Sequence, residues 1–145
     1  MPEISFPYRH IKVPPSAAHP DGQTLRNPKT VATLTASNGK TLRVFVLLDT
    51  GADACCFPLT YALLLGIDVL SLPTEMTGGI GSMANVTYYD TVQIDLGRGV
   101  AFTAKVAFME GMNMHAMGLL GQDGFFSNFD VHFSHKSSTF TIMTP

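Results

Sequence analysis

The sequence predicts an all-β, barrel-like domain. Short apolar or β-branched runs recur from residue 30 to the end of the chain, turn-forming residues separate them at near-regular intervals, and only two brief stretches carry helical signals. The 145 residues suffice for one domain around one core.

Residues 7–30 hold five prolines, Pro7, Pro14, Pro15, Pro20 and Pro28, with little apolar periodicity. They read as part of an N-terminal arm, residues 1–29, laid on a body spanning 30–145. Residues 30–37 (TVATLTAS) alternate β-branched and small side chains, and Asn38-Gly39 then gives a strong hairpin signal. The return strand, 41–48, is apolar almost throughout (VFVLL), which predicts burial on both faces. It runs directly into Asp49-Thr50-Gly51.

Residues 58–65 read as a short helix, with Pro58 suited to the first turn and Gly66 to the stop. Residues 74–96 read as two strands around a glycine-rich tip, GGIGS. Gly97-Arg98-Gly99 turns the chain into VAFTAKVAF, and 117–120 is a short apolar strand. A brief helix near the C-terminus is expected over 122–128. DVHFS and TFTIM then form a closing hairpin over HKSS.

Composition narrows the function classes. Hydrophobic residues make up 46% and charged residues 14%, the opposite of a disordered chain. No apolar run approaches the roughly 18 to 20 residues of a membrane span, and the opening MPEISFPYRH lacks the pattern of a secretory signal. With 9 basic and 11 acidic residues, a net charge of -2 and no dense basic patch, neither nucleic acid nor a membrane is an expected partner. Cys55 and Cys56 are adjacent and can bridge only through a strained eight-membered ring. They read as free thiols filling space as small apolar residues, which suits a reducing, cytoplasmic setting.

Asp49 is the residue that asks for a task. A carboxylate at the end of a buried apolar strand is costly unless hydrogen-bonded or used. Gly51 allows a tight turn and Thr50 supplies a hydroxyl, so the trio can present a carboxylate at the floor of a cleft. Asp-Thr-Gly alone is weak, arising by chance in roughly one chain of this length in thirty, and an isolated copy is an Asx-type turn. Here it follows VFVLL, continues as Ala52-Asp53, and is followed about seventy residues later by Leu119-Leu120-Gly121.

In these segments the chain resembles the retropepsin-like aspartic proteases, over about residues 30–143. DTGAD at 49–53 resembles their catalytic loop, MTGGIGS at 76–82 their glycine-rich flap, and GLLGQDGFF at 118–126 the apolar-apolar-Gly strand with its following helix. The resemblance implies an acid-protease β-barrel assembled as a homodimer. It implies Asp49 as the catalytic aspartate and Thr50 as the residue interlocking two catalytic loops across the dimer. Gly51, Asp53, Gly78 and Gly79 would then contact substrate backbone, Ile80 would form the flap tip, and Leu119 and Leu120 would line or support the cleft. The chain departs from the family pattern at Cys55 (commonly Thr or Ser), at Gln122 (usually Arg), and at Ser82 and Met83, past the flap tip.

The implied chemistry needs two carboxylates sharing one proton. The chain has a single Asp-Thr-Gly and is too short for two fused lobes, so the second carboxylate is expected from another copy across a two-fold axis. TFTIM is expected to join the sheet between the two copies. The expected substrate is an extended polypeptide paired by its backbone, and no cofactor or metal is called for. The alternative reading is a peptide-binding or assembly module with the same fold and no useful turnover.

Other chemistry-bearing residues have blander readings. Met112, Met114, His115 and Met117 form a soft-donor cluster able in principle to hold Cu(I), but they read as a loop with gap-filling methionines. His132 and His135 lack a partner pair at zinc spacing. Asp123 and Asp130 read as cap or turn residues, Asp90 and Asp95 as solvated strand faces, and Asp53 has a competing reading as a carboxylate satisfying backbone N–H groups.

Overall fold

The computed structural model describes residues 2–78, 84–113 and 116–145. Twelve strands are formed by these residues: β1 (Glu3–Pro7), β2 (Arg9–Val13), β3 (Gln23–Asn27), β4 (Lys29–Thr35), β5 (Thr41–Leu48), β6 (Cys56–Pro58), β7 (Thr74–Gly78), β8 (Ala84–Gly97), β9 (Val100–Met109), β10 (Met117–Leu120), β11 (Asp130–Ser134) and β12 (Thr139–Met143). The one α-helix among them is α1 (Leu59–Leu64).

The main sheet has the order β4-β5-β10-β6-β9-β8-β7. β4 also pairs with β8, through Thr33↔Asp95, Leu34↔Ile94 and Thr35↔Gln93. That seam closes six strands into a barrel and leaves β7 outside it, extending the β7–β8 hairpin. Closure pairs β4, which would otherwise be an open edge, and leaves β7 as the sheet's terminal strand.

Why β5 forms is plain from its side chains. Val44, Val46 and Leu48 are buried, while Arg43 and Phe45 face outward. The expectation that β5 is buried on both faces is therefore corrected. Phe45 remains 39% exposed, with the Arg9 guanidinium 4.7 Å and the Lys29 ammonium 5.9 Å from its ring centroid. An unbroken apolar run conceals this alternation, because a cation-covered aromatic replaces the polar residue that usually marks the outer face.

Fully buried Leu34, Ile94, Phe57, Phe108 and Phe125 fill the interior. Each such side chain contributes about 1.5–3 kcal/mol relative to an exposed position. Helix α1 lies where expected. Pro58 is its N-cap and Leu65 its C-cap, and Gly66 follows with φ 68, donating its N–H to the Leu63 carbonyl at 3.0 Å.

Residues 122–128 make a coil of turns rather than regular α-helix. Gly124 has φ 101, outside the helical range, so Phe126 and Ser127 donate five residues back, to Gly121 and Gln122. Phe125 and Phe129 from this coil pack on Phe102.

A second sheet has the order β1-β12-β11, and β2 and β3 form a separate ribbon. The first strand of the proline-rich N-terminal segment is thus woven into the body: Phe6 stacks on Phe140 with centroids 5.2 Å apart. TFTIM has both edges occupied, by β1 and by β11. It cannot itself accept a further strand, so any sheet continued into another copy would have to use β1 or β11.

Candidate active site

Strand β5 delivers Asp49 to the end of the barrel beside β10, which runs parallel to it with Leu119↔Leu47 and Leu120↔Leu48. The Asp49 amide donates to the Leu120 carbonyl at 3.0 Å. The half-buried side chain turns back, and its Oδ1 accepts the Gly51 N–H at 2.9 Å. Ala52 N–H closes the turn on the Asp49 carbonyl at 3.1 Å. Burial of the carboxylate is thus partly offset by a backbone donor, while its second oxygen has no hydrogen-bond partner among the described residues.

The loop after Asp49 is stitched to the segment after β10. Gln122 N–H donates to Ala52 and Asp123 N–H to Asp53, at 2.8 and 2.9 Å. Gln122 Nε2 donates to the Thr50 carbonyl at 2.9 Å. Where the family pattern has arginine, this chain uses a neutral amide to hold its own loop.

Close approach explains the glycines that bracket Leu119-Leu120. A Cβ at Gly121 would press on the carbonyls of Ala54 and Ala52, and one at Gly118 would collide with the Phe57 ring. Both positions require the missing side chain.

The remaining sequence-predicted residues fall into distinct places. Thr50 is exposed and its hydroxyl has no hydrogen-bond partner among the described residues; the same holds for the exposed Asp53 carboxylate. Gly78 ends β7, paired with Ala84, whereas Gly79 and Ile80 lie outside the described residues. Leu119 lines a cavity, but Leu120, one step along the strand, is fully buried in the core.

That cavity, about 330 Å³, is lined by Cys56, Met109, Met112, Met117 and Leu119 and is almost wholly apolar. Sequence reasoning missed four of these. The usable signal was period-2 alternation in β10, which puts Met117 and Leu119 on one face. Cys56 joins them because it stands opposite Leu119. Met112 and Met117, read as gap-fillers in a loop, line the cavity, while Met114 and His115 lie outside the described residues.

The two thiols are free and differ in setting. Cys55 is buried and donates to the Asp123 carbonyl at 3.6 Å; burial pushes its pKa up to about 11, against a lowering contribution from the Gly121 backbone. Cys56 is half-buried. Its Sγ donates to the Ala54 carbonyl at 3.3 Å, which ties this wall of the cavity to the loop after Asp49; burial raises its pKa, and the negative charges of Asp53 and Asp49 raise it further. At the root of the β7–β8 hairpin, Tyr89 Oη donates to Glu75 Oε2 at 3.0 Å.

Asp90, Asp95 and Asp123 are bound locally. The first two accept the Thr91 and Gly97 amides, and Asp123 bridges to Ala54 through its backbone. His135 meets Arg26 Nη2 at 3.3 Å. Among the described residues no group of three or more His, Cys, Asp or Glu side chains is placed to hold a metal, and no helix is long and apolar enough to cross a membrane.

No family model matches the chain, and neither does any curated relative. Solved structures do. A retropepsin-like aspartic protease from Rickettsia conorii superposes with a TM-score of 0.59 at 16% identity, covering 97% of this chain and 98% of that one. EIAV protease complexed with the inhibitor HBY-793 matches over 66% of this chain and 82% of its own, at 22% identity and a TM-score of 0.45. A closed barrel with Asp49 at the junction of two parallel strands, and its correspondence over nearly the whole chain with the Rickettsia structure, establish that this chain has the retropepsin-like fold.

Proposed function

We propose that this chain is an aspartic endopeptidase working as a homodimer, each copy supplying Asp49 to a shared dyad. The observation that carries the reading is the Asp49 carboxylate itself: half-buried, oriented by the Gly51 amide, and beside an apolar cavity. In such a dyad one carboxylate takes a proton from the attacking water while the other, as the acid, protonates the scissile carbonyl oxygen. The tetrahedral intermediate then collapses, the C–N bond breaks, and the leaving amine receives a proton. The pair shares one proton because two adjacent carboxylates resist double ionisation, so neither copy owns a fixed role.

Several features support the finer assignments. The exposed Thr50, with its hydroxyl unengaged among the described residues, suits a contact with the second copy's loop. We assign the exposed Gly51 and Asp53 to contacts with an extended peptide's backbone, and Gly78, Gly79 and Ile80 to a flap over it. Leu119, with the methionines around it, offers an apolar subsite for a side chain next to the cut. Leu120 supports that wall from behind. We take residues 30–145 as the protease domain and 1–29 as an N-terminal arm, and the free thiols favour a cytoplasmic setting.

The test is cleavage of a denatured protein mixture from acid to neutral pH, comparing wild type with Asp49→Asn. Cleavage by wild type alone supports the reading. Equal cleavage by both removes Asp49 from the chemistry. No cleavage by either, with extended peptides still bound, favours the alternative peptide-binding module.

A further inference from the structure

Three of the chain's four arginines, Arg9, Arg43 and Arg98, line one cleft of about 400 Å³ on the outside of the barrel. In a chain of net charge -2 this is a marked concentration of positive charge. The cleft runs along the β4–β5 pair, from Thr30, opposite Val46, to Thr33, opposite Arg43. Arg43 itself is six positions of extended chain from Asp49, on the order of 20 Å.

The sheet register builds the site. Arg43 on β5 stands opposite Thr33 on β4, and Thr33 stands opposite Asp95 on β8, so the three form one row across the barrel wall. The guanidiniums at either side are held by aromatic faces. Arg9 lies 4.7 Å from the Phe45 centroid and Arg98 lies 5.3 Å from that of Phe6. Arg98 also donates to the Ser5 carbonyl. Stacking fixes the plane of a guanidinium and leaves N–H donors along its edge. Arg43, between them, is exposed and makes no hydrogen bond, ion pair or ring contact among the described residues.

We propose that this cleft binds a phosphoryl group. Three guanidiniums against the single carboxylate of Asp95, whose Oδ1 already accepts the Gly97 amide, leave two positive charges to be met. One carboxylate ligand would leave the cleft cationic, whereas a phosphate monoester carries about -1.5 to -2 near neutrality and offers three acceptor oxygens. Arginine forks match that geometry. The cleft is larger than the group itself, so the remainder of the ligand also has room. This site stands independently of the peptidase reading.

The test is an amide-resolved NMR titration of the full chain with inorganic pyrophosphate. Saturable shifts at Thr33, Arg43, Gly97 and Arg98 are expected, with binding weakened about tenfold or more in Arg43→Gln. Lys136→Gln, an exposed charge elsewhere, and Asp49→Asn should both bind as wild type. Thermal melting confirms that each variant folds. Absence of saturable shifts, unchanged affinity in Arg43→Gln, or equal weakening in Lys136→Gln would each overturn the proposal. Sedimentation with phosphatidylcholine vesicles, with and without phosphatidic acid, separates two sources of the same chemistry. Arg43-dependent recruitment by phosphatidic acid assigns a lipid headgroup; pyrophosphate binding without recruitment assigns a soluble phosphoryl ligand.

Discussion

The amide of Asp49 and the carbonyl of Leu120 meet at 3.0 Å, so the proposed catalytic residue is positioned by the backbone of a neighbouring strand. Its side chain accepts from Gly51 at 2.9 Å. An amide oxygen can accept that same donor, so exchanging the carboxylate for an amide should spare the loop. Asp49→Asn is therefore expected to lower peptide cleavage by at least about 10²-fold, the lower range for losing acid–base catalysis, with an unchanged melting temperature. Fluorogenic peptide turnover and a thermal melt on the same preparation check both halves.

The proposed dyad draws one carboxylate from each of two copies, which would make activity concentration-dependent. Specific activity should fall on dilution, in step with the dimer fraction measured by analytical ultracentrifugation. Constant specific activity from a purely monomeric sample would contradict the shared dyad.

Gly121→Ala should destabilise the fold by about 1–3 kcal/mol, the range for overpacking. The added carbon presses on carbonyls of the Ala52–Ala54 loop, which belong to backbone and cannot swing aside. Urea denaturation provides the measurement. Gly39→Ala, where a Cβ meets nothing within 4 Å, is the comparison for steric effects, although its φ of 85 gives it a separate conformational cost.

Cys55 should make the protein sensitive to alkali. Its folded-state pKa lies near 11 against an ordinary 9.0, so between those values the folded chain retains a proton that the unfolded chain has lost. The unfolded state then binds fewer protons, and stability falls as pH rises through this window. The full effect approaches about 2–3 kcal/mol. Denaturation at pH 8, 9, 10 and 11 on wild type and Cys55→Ala should show the steeper decline in wild type. Alkylation should reach half-buried Cys56 before Cys55, and slowly at neutral pH, since both thiols hold their protons there.

Met112→Ala should alter which peptides are cut more than how fast the best one is cut. Widening the cavity lined by Cys56, Met117 and Leu119 favours bulkier apolar side chains, by about 10- to 200-fold between competing sites. Mass-spectrometric profiling of a peptide library reads this directly.

Much of the barrel was legible because its signals are local. Asn38-Gly39 marks the β4–β5 turn, Gly66 ends α1, and Gly97-Arg98-Gly99 leads into β9. The meeting of the Asp49 loop with the segment after β10 was foreshadowed by two separated segments, 49–53 and 118–126, while most of the third, 76–82, lies outside the described residues. What escaped depends on pairing. Cys56 reaches the cavity only because β6 lies antiparallel to β10 at Leu119, and β12 sits between two strands because β1 returns from the other end of the chain. Phe45 escaped for a third reason, since its cover is a pair of cations drawn from outside its strand.

The three-pair seam between β4 and β8 carries a kinetic consequence. Thr33 and Asp95 are distant along the polypeptide, as are Leu47 and Leu119, so the ring completes only through contacts of high sequence separation. Loop-closure entropy is lost before such contacts repay it, which places refolding in the millisecond-to-second regime typical of non-local β topologies. Nascent chains would then expose unpaired strands until β10 emerges and docks, a window in which chaperone engagement competes with aggregation.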